Sequence, residues 1–161
     1  MKPKINWKAL LLCIVIPLAV GGISALLTAN AMENFEEIQQ PPLSPPAWLF
    51  PVVWSILYTL MGISSYLVWA SDAEESTKAL EIYGAQLAVN FIWPTVFFNF
   101  QWYLVSFVWL LLLIVLVVAM IRAFYKIRPA AASINVPYLV WLLFAAYLNF
   151  GIWRLNSCSE F

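Results

Sequence analysis

Five long apolar stretches, separated by short polar breaks, set the plan of this chain. They run over about 9–29, 47–70, 79–99, 102–124 and 132–153. Each reaches the ~20 residues that a helix needs to cross a hydrocarbon core of ~30 Å. The pattern predicts an all-α integral membrane protein: a bundle of five transmembrane helices, one domain over residues 1–161. The first stretch is too long for a secretory signal, and no A-x-A-like cleavage site follows it. Of the breaks, residues 30–46 are acidic and then proline-rich, with Glu33, Glu36 and Glu37 ahead of Pro41-Pro42-Leu43-Ser44-Pro45-Pro46. This break is expected to form a lid on one side of the membrane. Only Phe100 and Gln101 separate the third and fourth stretches, which makes those helices antiparallel neighbours. No internal repeat supports an inverted-repeat transporter.

The third stretch holds polar groups that a lipid-facing helix would not carry. Gln86, Asn90 and Trp93 recur at i, i+4 and i+7, so they share one helix face. Pro94 follows at once and kinks the helix. Amides at membrane depth are tolerated where they face a cavity or a neighbouring helix. Both readings fit here, and Asn149 on the fifth stretch is a candidate partner. Pro137 is expected to kink that fifth helix.

The nine tryptophans divide by depth. Trp7, Trp48, Trp69, Trp102 and Trp153 lie near span ends, where an interfacial aromatic belt is expected. Trp54, Trp93, Trp109 and Trp141 lie deeper. Trp54 is about six residues, or ~9 Å, inside its helix end. Trp54, Trp93 and Trp141 could line one cavity in the outer half of the bundle, or each could pack between helices with its N–H on a carbonyl. On the first stretch, Gly21, Ala25 and Ala29 form a small-residue stripe. It suits either a dimer interface or close packing inside one protomer.

Composition and charge narrow the function classes. The chain is 64% hydrophobic and 10% charged, too apolar for a soluble domain of its size. Its net charge of zero gives no case for nucleic acid. No histidine is present, which removes histidine-ligated metal and Ser-His or Cys-His catalysis; no metal site is expected. Cys13 and Cys158 do not read as a disulfide framework. No charged residue lies near the centre of any span, which argues against proton-coupled or ion-coupled transport. Lys2, Lys4, Lys8, Lys78, Arg122, Lys126 and Arg128 fall on one side of a five-span layout and Arg154 alone on the other. The positive-inside rule then places the N-terminus in the cytoplasm and the 30–46 loop outside, in a cell inner membrane.

Certain runs carry a resemblance. Pro45-Pro46-Ala47-Trp48, Val53-Trp54-Ser55-Ile56-Leu57-Tyr58, Met61-Gly62 and Ser65-Tyr66-Leu67-Val68-Trp69 resemble the second-helix signature of the translocator protein family. That family is also called the tryptophan-rich sensory proteins or peripheral-type benzodiazepine receptors. Gln86-Leu87-Ala88-Val89-Asn90 with Trp93-Pro94 and Phe97-Phe98 resembles its third helix. Pro137-Tyr138-Leu139, Trp141, Phe144-Ala145, Leu148-Asn149 and Trp153-Arg154 resemble its fifth.

The resemblance implies a five-helix, usually dimeric membrane protein with a ligand pocket closed by the first loop. It implies porphyrin and drug-like aromatic ligands of the isoquinoline or benzodiazepine type, and a pocket of Trp54, Tyr58, Asn90, Trp93, Trp141, Ala145 and Leu148. It also implies a light-dependent breakdown of protoporphyrin in which Trp54 and Trp141 take part. No cofactor is expected, protoporphyrin being ligand or substrate. Whether the chain is an enzyme stays open. A sterol or lipid transport module and a porphyrin-sensing regulator are the alternatives. The family's sterol-recognition pattern has a Tyr in the slot held here by Phe150, which counts against the sterol reading. The family's loop usually has a Trp where this chain has Leu43.

Overall fold

A computed structural model describes residues 4–157, and within them all the regular structure is helical. Lys2 and Cys158 lie outside the described residues. Six α-helices follow one another: α1 (Trp7–Met32), α2 (Leu49–Trp69), α3 (Ser76–Pro94), α4 (Tyr103–Ile127), α5 (Pro129–Ile134) and α6 (Val136–Ser157). A 3-10 turn, Glu33–Glu36, extends α1, and a π-helical turn, Thr95–Asn99, extends α3.

The helix boundaries follow local chemistry. α1 begins before the apolar run because the Asn6 side chain accepts the Ala9 N–H at 3.1 Å, an N-cap. α4 ends at Arg128, which is extended (φ −151°, ψ 102°). The ring of Pro129 disfavours helical geometry at the residue before it. The fifth expected span is divided in two. A turn at Asn135 separates α5 from α6, and Pro137 sits in the first turn of α6 instead of kinking a continuous helix. The distortion at Pro94 is the π turn that follows it, closed by the Phe100 N–H on the Thr95 carbonyl at 3.1 Å.

Among the described residues, four helical segments are long and apolar enough to cross a bilayer: the one starting with α1, α2, α4, and the α5–α6 pair. α3 is the least apolar of the long helices. It carries Lys78 and Glu81 in its first turns and the buried amides Gln86 and Asn90 further on. It packs against α1, α2 and α4.

The core is shared by α2, α3, α4 and α6, with Leu57, Met61, Val68, Leu87, Leu110, Leu113, Val117, Met120, Phe124 and Leu142 buried together. The outward faces remain apolar: Leu11, Leu12, Val15, Val108, Val115 and Val140 are exposed. An apolar exterior around a packed interior is the arrangement a bilayer requires, because lipid tails solvate those side chains and leave close packing to hold the helices together. Gly62 allows that packing between α1 and α2. A Cβ at this position would meet Ile14 Cα at 2.5 Å and the Cys13 carbonyl oxygen at 2.6 Å. At the same end of the bundle the Asn6 N–H donates to the Tyr66 hydroxyl at 2.9 Å.

Candidate functional site

Midway along the bundle, α2, α3 and α6 bring four polar side chains into one buried cluster. The Tyr58 hydroxyl donates to Asn90 Oδ1 at 3.0 Å. Asn90 Nδ2 donates to the Tyr138 hydroxyl at 2.6 Å, and that hydroxyl donates to Gln86 Oε1 at 2.8 Å. Gln86 Nε2 lies 3.9 Å from the sulfur of Met61. All four residues are buried. A polar group withdrawn from water costs free energy unless it is paired. The relay Tyr58–Asn90–Tyr138–Gln86 meets that need with side chains from three helices. It also fixes each amide's orientation, because Asn90 must present its oxygen to Tyr58 and its nitrogen to Tyr138.

Indoles wall this cluster. The Trp54 ring lies 5.4 Å from Tyr58, tilted by 31°, and 6.1 Å from Tyr138, edge-on at 71°. Trp141 follows Tyr138 by three residues on α6 and meets Phe50 at 5.9 Å and Phe144 at 5.5 Å. Its Nε1 is buried and has no hydrogen-bond partner among the described residues. Ala145 is half-buried against the core, and Leu148 is buried one turn further on.

Trp93 has a different setting. Its Nε1 donates to Asn149 Oδ1 at 3.2 Å. The same oxygen accepts the Ser106 hydroxyl at 3.1 Å, and Asn149 Nδ2 donates to the Tyr103 carbonyl at 2.8 Å. This second node ties α3, α4 and α6 together. The Trp93 ring stacks on Phe97 at 5.1 Å. Trp109 is likewise an interhelical tie, its Nε1 donating to the Val89 carbonyl at 2.8 Å. So the amide face of α3 divides: Gln86 and Asn90 join the tyrosine cluster, and Trp93 joins Asn149.

The distortion after Pro94 has its own partner. The Thr95 N–H turns to the Ile92 carbonyl, and the Phe91 carbonyl accepts the Ser24 hydroxyl of α1 at 3.1 Å. A kinked membrane helix is tolerated where such a side chain satisfies the backbone.

The small-residue stripe of α1 also divides. Gly21 faces inward, where a Cβ would fall 2.2 Å from Tyr58 Cε2. Ala25 and Ala29 are exposed, as is Gly22, which has open space where its Cβ would be. Gly21 therefore packs against Tyr58 inside the protomer.

Over the end of the site that faces the α1–α2 loop sits Phe35, from the 3-10 turn. Its ring lies 6.2 Å from Phe50, 6.0 Å from Phe97 and 5.5 Å from Phe98. The crevice left between Phe35, Phe97, Phe98 and Tyr103 holds about 10 Å³, at the lower limit of the room one water needs. Residue type and spacing do not by themselves mark Phe50 or Phe35 as part of this site, and Tyr138 is marked only weakly. The spacing Tyr138, Trp141, Ala145, Leu148 was a signal for Tyr138, since those positions share a helix face. Nothing local marks Phe35.

Chemically, the site offers flat aromatic surfaces for a planar ring, a buried indole donor, and an amide–hydroxyl relay able to exchange one of its bonds for a ligand's.

The match to known proteins spans most of the chain. Residues 13–154 match the model of the TspO/MBR family. The chain is 39% identical over 139 residues to the translocator protein of Homo sapiens, covering 83% of this chain and 80% of that one. It is 33% identical over 153 residues to the tryptophan-rich protein TspO of Archaeoglobus fulgidus, covering 94% and 99%. It is 36% identical over 124 residues to the tryptophan-rich sensory protein of Cereibacter sphaeroides, covering 77% of each.

Proposed function

The chain belongs to the TspO/MBR family, and on that premise we propose that it is a receptor-like membrane protein that binds tetrapyrroles. Protoporphyrin IX and isoquinoline or benzodiazepine-type compounds would enter the space between Trp54, Tyr58, Asn90 and Trp141. The observation that carries this reading is the Trp141 Nε1, a buried donor without an acceptor among the described residues. An unmade bond of this kind costs about 1–3 kcal/mol. A carbonyl or carboxylate on a flat ligand, seated against Trp54 and beside Trp141, would relieve it. Phe50, 5.9 Å from Trp141, would move to admit the ring.

In this reading α3 is the fifth span, shielded by its neighbours in spite of its amides. The protein is a homodimer of the inner membrane, with the N-terminus cytoplasmic. The arrangement of Lys4, Lys8, Lys78, Arg122, Lys126 and Arg128 supports that orientation, because the start of α1, the α2–α3 turn and the α4–α5 turn share one end of the bundle. Light-dependent oxidation of bound protoporphyrin is the one activity proposed. The excited porphyrin and oxygen supply its reactivity, with Trp54 and Trp141 as the adjacent oxidisable indoles.

The test is spectral titration with protoporphyrin IX in the dark and then under illumination. Saturable binding is expected in the dark, and in the light a slow loss of the porphyrin bands. Trp54→Phe and Trp141→Phe should bind and lose the bands more slowly. No saturable binding would sink the receptor reading. Unchanged bleaching in both variants would leave a binder without a photochemical role for its indoles.

A further inference from the structure

The loop joining α1 to α2 is tied to the last helix at three points. Asn156 holds both backbone groups of Gln39: the Gln39 N–H donates to Asn156 Oδ1 at 3.2 Å, and Asn156 Nδ2 donates to the Gln39 carbonyl at 2.9 Å. The same Nδ2 donates to the Ile152 carbonyl of its own helix at 2.8 Å, which fixes the direction of the amide. One turn and a half earlier, the Pro41 ring sits on Gly151, where a Cβ would meet Pro41 Cβ at 2.7 Å. Earlier still, the Tyr147 hydroxyl donates to the Pro42 carbonyl at 2.8 Å.

The strap is also tied inward. Gln40 Nε2 donates to the Phe35 carbonyl at 3.1 Å. Phe35 is the ring packed over Phe50 and Phe98 at the outer mouth, and Phe50 in turn meets Trp141. Clamp, strap and plug are therefore one continuous chain of contacts, from Asn156 to the indole with the unpaired donor. Among the three ties, Asn156 alone grips a backbone residue by both its N–H and its carbonyl. Two such bonds together shift an equilibrium by roughly tenfold to a hundredfold.

We propose that Asn156 is the latch of this strap: while it holds Gln39, Phe35 stays seated over the aromatic site, and its release opens that site from the outer end. The role in ligand admission rests on the tetrapyrrole reading above; the latch itself rests on the contacts alone. Asn156 is a positioning residue, acting on the ligand only through the strap.

The experiment compares Asn156→Ala with the unmodified full chain in lipid nanodiscs. Hydrogen–deuterium exchange over residues 33–44 should quicken about tenfold, with the amides of α2 and α4 unchanged. Stopped-flow fluorescence with protoporphyrin IX should show association and dissociation both about tenfold faster, and a Kd altered less than threefold. Gly151→Ala, which pushes Pro41 off its seat, should act in the same direction. Unchanged exchange in both variants overturns the latch. Faster exchange with unchanged ligand rates overturns its role as a gate. An unmodified chain that binds no protoporphyrin sinks the ligand reading instead, and the exchange measurement then decides the latch by itself.

Discussion

Gly21 of α1 lies directly against the ring of Tyr58 of α2. A Cβ built on Gly21 would stand 2.2 Å from Tyr58 Cε2 and 2.6 Å from Cδ2. The same ring carries the hydroxyl that donates to Asn90. A residue whose small-residue stripe suited either an oligomer seam or close packing inside the protomer thus sets the back wall of the buried polar cluster. Its lack of a side chain lets Tyr58 reach α3.

Gly21→Leu should therefore damage the fold and the site together. The buried Tyr58 ring has to move, and overpacking of this kind costs about 1–3 kcal/mol. The expected outcome is a lowered melting temperature and weakened protoporphyrin binding. Thermal unfolding followed by intrinsic fluorescence, alongside a binding titration, checks both. A variant with unaltered melting would show that the ring can step aside.

The proposed dimer is better probed at Ala25 and Ala29, which are exposed on α1. Ala25→Leu with Ala29→Leu should separate protomers by preventing close helix approach, while leaving the melting of the monomer intact. Crosslinking in membranes gives the answer. A double variant that still crosslinks would mean that the protomers meet elsewhere.

Asn90→Leu removes the centre of the relay. It leaves the Tyr58 hydroxyl without an acceptor and removes the donor to Tyr138. The expected loss of stability is about 1–3 kcal/mol, because the partners stay buried and unpaired. Ligand affinity should fall as well. The double variant Asn90→Leu with Tyr58→Phe should recover part of the stability and none of the affinity, since it takes away one stranded hydroxyl. Full recovery of affinity would make Asn90 a packing residue only.

Asn149→Ala should separate structural from ligand-binding roles on α3. It strands the Trp93 N–H, while the Tyr103 carbonyl keeps the Ser106 hydroxyl, so unfolding should become easier by about 1–2 kcal/mol. Affinity for protoporphyrin should change less than threefold, because this node shares no hydrogen bond with the relay through Asn90. A large affinity loss with unaltered melting would place Trp93 in the pocket after all.

Much of this protein is determined by its sequence alone. Apolar runs of bilayer length set the all-α membrane class. Asn6, Pro129 and Pro94 set where helices begin, end and distort, because capping and proline geometry act over a few residues. The Gln86–Asn90 face announced a buried polar site, since amides at that depth require partners. The tertiary structure decided which partners. Asn90 met two tyrosines and Trp93 met Asn149, although both lie on one helix face and are equally suited to either role. It turned Gly21 inward and left Ala25 and Ala29 outside, because a small-residue stripe permits close approach without naming the neighbour. It brought Phe35 and Gln39 from a polar loop onto α2, α3 and α6. Contacts between residues as distant as Gln39 and Asn156 depend on how whole helices pack, and helical periodicity carries no information about that.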